Sequence, residues 1–150
     1  MPEEETIERA RDDAREGKSP STQAGEFVRE EMEHIREGKH GARSAKQAIA
    51  IGLSKARRAG VKLPAPKTGS SSNKVRRQAK RDLKKGSSAT KRKPSPKRSR
   101  AAKKALKREP RSAASHRALS RQARSAARRR TKTDRSRAAK KGAATRKRNR

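Results

Sequence analysis

The sequence predicts a mostly disordered chain with a small all-α N-terminal part. Three observations carry that expectation. The formal net charge is +32 over 150 residues, with 47 Lys and Arg against 15 Asp and Glu. Apolar residues make up 27% of the chain, and Phe27 is the only aromatic. From Lys67 onward the composition narrows to Lys, Arg, Ala, Ser and Pro. Such a chain buries too little apolar surface to offset the entropy of ordering it, so only a small helical unit is expected to fold.

The first element is a helix over residues 6–16, capped by Thr6 and stopped by Gly17. Its apolar side chains are Ile7, Ala10 and Ala14, which predicts a solvated, fraying element. A linker with Ser19-Pro20-Ser21 leads to a second helix, over about 24–37. There Ala24, Val28, Met32 and Ile35 recur at helical spacing, with Phe27 flanking them. Glu26, Glu30, Glu33 and Glu37 are assigned to the wet side. A turn over 38–43 contains two glycines. Ser44 and Gln47 then have the spacing of a capping box that starts a third helix, about 44–59. The predicted hairpin packs through Val28, Met32, Ile35, Ile49 and Leu53.

Ile51 does not fit that face. It lies about 200° around the helix from Ile49, given about 100° per residue, beside Gln47, Ser54 and Arg58. Either the first helix covers it or it marks a self-association contact. A short echo, Arg15-Glu16-Gly17-Lys18 and Arg36-Glu37-Gly38-Lys39, reads as shared helix-end chemistry.

Charge divides the chain into an acidic segment (1–23), a hairpin domain (24–63) and a basic tail (64–150). Residues 1–37 hold 12 acids and 6 bases, whereas residues 67–150 hold 34 bases and 3 acids. Within the tail, Asn73–Lys85, Ser99–Arg108 and Ser115–Arg130 are blocks of good helix formers, read as transient helices that phosphates would stabilise.

The residues suggest no enzyme. There is no cysteine, and His34, His40 and His116 assemble into no catalytic set. Glu30 and His34 have an i, i+4 spacing that suits a metal, but no third ligand is evident, so they read as a surface pair and no metal or cofactor is expected. His40, Arg43, Ser44 and Lys46 are a candidate anion site, because a helix start presents free N–H groups, with a plain turn as the alternative reading. Lys46, Lys55, Arg57 and Arg58 give the third helix a basic face, read as solvated rather than groove-reading.

The tail carries the main functional signal. Each Lys or Arg that neutralises a phosphate releases counterions, so affinity rises with contacts and falls with salt. The residues expected to touch phosphate are Arg76, Arg77, Lys80, Arg81, Lys84 and Lys85 in the first block. Lys91, Arg92, Lys93, Lys97, Arg98, Lys103 and Lys104 follow, and then Arg128, Arg129 and Arg130. Without Phe, Tyr or Trp the tail cannot stack on bases, which argues against single-strand and RNA-recognition modes.

The segment Arg36–Gly60, with Lys46-Gln47-Ala48-Ile49-Ala50-Ile51 and Leu53-Ser54-Lys55-Ala56, resembles a family of short bacterial domains of uncharacterised function, over about residues 26–63. The tail is similar to linker-histone tails and bacterial histone-like proteins, and Ser95-Pro96-Lys97-Arg98 resembles the Ser-Pro-basic units of the former. The expectation is thus sequence-nonspecific DNA binding or compaction at the bacterial nucleoid, in the cytoplasm, with DNA favoured over RNA. The hairpin would take a protein partner or self-associate. No membrane or small-molecule substrate is expected. The alternatives are an RNA- or ribosome-associated basic protein, and a protein-interaction adaptor whose tail is solubilising.

Overall fold

A computed structural model describes residues 1–88 and 95–148. Among these residues there are seven α-helices, one short 3-10 helix and no strand. They are α1 (Glu4–Arg15), α2 (Pro20–Arg36), α3 (Ala45–Arg58), α4 (Asn73–Ser87), α5 (Pro96–Lys107), the 3-10 helix Arg111–Ala114, α6 (His116–Arg128) and α7 (Lys132–Arg148). The chain divides into two compact units, Met1–Ser115 and His116–Arg150.

This overturns the expectation of a mostly disordered chain. The three basic blocks are α4, α5 and α6, and α7 adds a fourth helix. Two physical terms explain the difference. Ala, Lys and Arg are among the best helix formers, while like charges at i, i+4 cost only about 0.2–0.5 kcal/mol per pair. The block at 73–87 also has tertiary support, since α4 packs on α3 and buries Ala79 and Asp82. In the second unit, α6 and α7 bury no residue of their own. The start of α7 is fixed locally, with the Thr131 hydroxyl accepting from the Asp134 N–H at 3.1 Å.

The hairpin of α2 and α3 is the centre of the first unit, with α1 packed on α2. Helix α2 starts earlier than its apolar stripe suggests, because Ser19 caps it and Pro20 stands in the first turn. Phe27 is a core residue rather than a flank. It is buried with Ala10, Ala24, Ala56 and Val61, and Ile7, Leu53, Ala59 and Leu63 pack around it. Helix α1 is therefore anchored, not fraying, with Thr6 and Ala10 buried. Met32 and Ile35 are buried as predicted, while Val28, Ile49 and Leu53 are half-buried. Gly52 lets α3 meet the α2 backbone, since a Cβ there would stand 2.7 Å from the Val28 Cα.

Thr6 does not cap α1: the helix starts at Glu4 behind Glu3, with no side-chain cap, and Thr6 is buried inside it. The predicted cap at Ser44 and the stops at Gly17 and Gly38 hold. Ser44 Oγ accepts from the Gln47 N–H at 3.2 Å, but the Gln47 side chain accepts from Arg43 N–H (2.8 Å), one residue before the position a capping box uses. The Gly17 and Gly38 stops share one geometry. Lys18 N–H reaches the Asp13 carbonyl at 2.9 Å and Lys39 N–H the His34 carbonyl at 3.0 Å, the long return bond of a Schellman ending.

The turn after α2 is clamped by the tail. Gly41 N–H donates to the Leu106 carbonyl (2.9 Å) and Ala42 N–H to the Pro110 carbonyl (3.1 Å). Arg36 Nε donates to the Ala114 carbonyl at 3.1 Å, and Ala42, Ala113 and Ala114 are buried. The side of α3 that carries Ile51 is also accounted for. Ser54 and Arg58, on that side, bond Asp82 of α4, and Ile51 is half-buried. Helix α4, rather than α1, packs against this face.

Candidate nucleic-acid interface

Helix α4 separates its two faces cleanly. Ala79 and Asp82 are buried toward α3. Arg77, Lys80, Arg81 and Lys84 follow i, i+3, i+4, i+7 spacing on the opposite side and are exposed, as is Lys85. Arg76 is half-buried and donates from Nε to the Pro66 carbonyl at 3.2 Å. Asn73, Arg76, Arg77 and Lys80 line an open depression of about 290 Å³. On α5, Lys97, Arg98, Lys103 and Lys104 are exposed, as are Arg128, Arg129 and Arg130 in the second unit. Lys91, Arg92 and Lys93 lie outside the described residues.

A second basic surface joins two of the expected phosphate contacts, Arg128 and Arg129, to Arg121 and Arg124, which were not among those expected. Arg121, Arg124, Ser125, Arg128 and Arg129 line an open depression of about 400 Å³ along α6. The signal for it was present, since Arg121, Arg124 and Arg128 are spaced i, i+3, i+7 and fall on one helical face. The three acids of residues 67–150 lie elsewhere. Asp82 is buried, Glu109 Oε1 is 3.7 Å from Arg43 Nη2, and Asp134 belongs to the start of α7.

The basic face of α3 is largely used inside the fold. Lys55 Nζ lies 2.8 Å from Glu31 Oε2, and Arg58 pairs with Asp82. Arg57 is buried and donates to the carbonyls of Leu63 (3.1 Å) and Pro64 (3.2 Å). Burial draws its guanidinium pKa down, and the nearby Asp82 partly restores it. Around the start of α3, Arg43 and Lys46 are exposed and Ser44 caps the helix. His40 is engaged with Glu31, its Nε2 3.3 Å from Oε1.

That contact belongs to a buried cluster. Glu30 and Glu31, with His34 on the same helix, converge with His40 and Lys55. Glu30 is therefore not on the wet side, and Glu30 with His34 is not a surface pair: Glu30 is 2% and Glu31 0% exposed. Lys55 Nζ is 3.3 Å from Glu30 Oε1. His34 Nε2 donates to Glu3 Oε1 at 2.9 Å, and Lys39 reaches the same oxygen at 3.2 Å. Those bonds, from His34 first and Lys39 second, hold the Glu3 carboxyl below its ordinary pKa. Glu31, His34 and His40 have the donor types and the proximity to hold a metal ion. Only the fold reveals this set, because His40 lies beyond the Gly38 turn and off the helical spacing.

No helix among the described residues is long and apolar enough to cross a membrane. No curated protein and no solved structure matches the chain. Residues 15–68 match the model of a family of unknown function, DUF6496, so the α2–α3 hairpin lies within an uncharacterised domain.

Proposed function

We propose that this chain binds duplex DNA without sequence preference, by laying the basic faces of its C-terminal helices along phosphates. The carrying observation is the exposed stripe of Arg77, Lys80, Arg81 and Lys84 on α4, matched by the arginine surface of α6. Fixed helical faces offer several cations at regular spacing, and each phosphate contact they make releases counterions. Nothing on these faces supplies an aromatic platform, so the bases go unread. On this reading the protein coats or compacts DNA in a histone-like manner at the bacterial nucleoid, and the 15–68 domain positions the first basic helix.

The test is fluorescence anisotropy of the full chain with a labelled duplex and a structured RNA, at matched salt and over a salt series. The expected result is DNA binding independent of sequence, weakening steeply as salt rises. Binding that ignores salt would sink the proposal. Affinity for the RNA well above that for DNA would replace it with an RNA-associated function.

A further inference from the structure

We propose that Glu31, His34 and His40 bind a divalent first-row transition-metal ion of the zinc class. One ligand atom from each residue lies within 4.8 Å of the others. Tetrahedral zinc with bonds of about 2.0–2.2 Å holds its ligands roughly 3.4 Å apart, so small side-chain rotations close this set. Two imidazoles and one carboxylate are a donor combination that suits zinc.

The hydrogen bonds around the rings orient them for this role. His34 turns Nε2 outward to the Glu3 carboxylate, which can only accept, so that nitrogen carries the proton. Its other nitrogen, Nδ1, faces Glu30 Oε1 at 3.8 Å. His40 is held in the same way, with Nδ1 donating to the Gly41 carbonyl at 3.0 Å and Nε2 facing Glu31 Oε1 at 3.3 Å. In each neutral ring the inward nitrogen is thus a lone pair directed at a carboxylate. Two acceptors that face each other need a cation between them. An outward carboxylate or carbonyl that takes the other ring N–H is the partner that fixes the tautomer and orientation of metal-binding histidines.

The buried carboxylate gives an independent reason. Glu31 is fully buried, and neither of its oxygens makes a hydrogen bond, although Lys55 Nζ lies 2.8 Å from Oε2. Lys55 places one positive charge against two buried carboxylates, Glu30 and Glu31. A dication would satisfy the Glu31 oxygens and both inward nitrogens together. The Lys55 side chain is 21% exposed, so its ammonium is the member of the cluster that borders solvent when an ion enters.

The experiment uses the full chain, stripped of nucleic acid in high salt and of metal by a chelator that is then removed. Zn²⁺ is titrated by calorimetry, and Co²⁺ is followed by its visible absorption. The expected result is one saturable equivalent, with a Co²⁺ spectrum of low coordination number and a raised Tm. His40→Ala and Glu31→Gln are expected to weaken binding by at least the about 10–100-fold typical of losing a residue that only hydrogen-bonds to a ligand. His116→Ala, which removes the histidine outside the cluster, should bind as the parent does. Failure of the parent chain to take up one equivalent overturns the proposal, whatever the variants do. So does full-strength binding in both His40→Ala and Glu31→Gln. Two doubly protonated rings in the metal-treated chain, seen by nitrogen NMR, would assign the inward positions to protons and overturn it as well.

Discussion

Arg58 Nε on α3 donates to Asp82 Oδ1 on α4 across 2.8 Å, and this pair turns the first basic block of the tail into a packed helix. Ser54 Oγ donates to the other Asp82 oxygen at 2.7 Å, and Gln78 Nε2 donates to Oδ1 at 3.0 Å. Asp82, one of three acids among 34 bases in residues 67–150, thus receives the side-chain hydrogen bonds of Ser54 and Arg58 that join α4 to α3.

Asp82→Asn should loosen α4 from α3. It keeps the shape but removes a charge that accepts three hydrogen bonds, a loss of about 1.5–3 kcal/mol. The effect is pH-dependent with a definite sign. Burial raises the Asp82 carboxyl pKa, but the bonds from Ser54, Arg58 and Gln78 together outweigh it, and the net value is lowered. A lowered folded-state pKa adds stability above the unfolded value of about 3.9, and that stability is lost as pH falls through the folded value. Thermal melts of parent and Asp82→Asn should differ at pH 7, begin to approach each other only below about pH 4, and meet once the pH lies below the lowered folded-state value.

Gly41→Ala should release the clamp between the hairpin turn and the tail. An added Cβ would overlap the Glu109 carbonyl, and that backbone has little room to retreat because Ala42 N–H is bonded to Pro110 next to it. The overpacking cost is about 1–3 kcal/mol. Gly25→Ala is the matched control, since a Cβ there meets nothing within 4 Å. Removing a glycine from a helix interior gains about 0.5–1 kcal/mol. Chemical denaturation should move the two variants in opposite directions, and amide exchange at Ala42 should speed up only in Gly41→Ala.

Helices α2 and α3 were legible because their apolar side chains keep a period of 3.6 and their ends carry Ser44, Gly38 and Gly60. The helical blocks of the tail were legible too, but not their persistence, because repulsion between like charges is plain in the composition whereas the packing of α4 on α3 is not. The Arg58–Asp82 bond could not be read from sequence. It joins residues 24 apart, and Asp82 is a lone acid in a basic run. Glu30 and Glu31 were hidden for a related reason. Acidic residues on an acidic helix read as solvated, and burial follows only once Lys55 and the two histidines are brought to them from other turns. Ile51, the misfit on α3, lies on the side whose Ser54 and Arg58 bond α4, an element of the tail expected to be disordered.

Arg57→Lys should destabilise the first unit even though it keeps the charge. The guanidinium spans two carbonyls, of Leu63 and Pro64, and so fixes the extended exit from α3. An ammonium on a flexible stem cannot hold both in that fork geometry. The expected loss is about 1–2 kcal/mol, roughly one hydrogen bond plus the cost of a buried carbonyl left unpaired. A lowered denaturation midpoint with an unchanged slope would be the signature.

Replacing Arg121, Arg124 and Arg128 together by Gln tests whether the α6 surface engages phosphate. These side chains line one open depression and support no buried contact in α6, so helicity by circular dichroism should be unaltered. If each arginine neutralises one phosphate, the slope of log affinity against log salt should flatten by about 0.9 per residue, or roughly 2.7 in all. Arg57→Lys, buried in the other unit, should leave the slope unchanged while it lowers stability. A triple variant that kept the parent's slope would show that α6 makes no phosphate contact and would leave binding to α4 and α5.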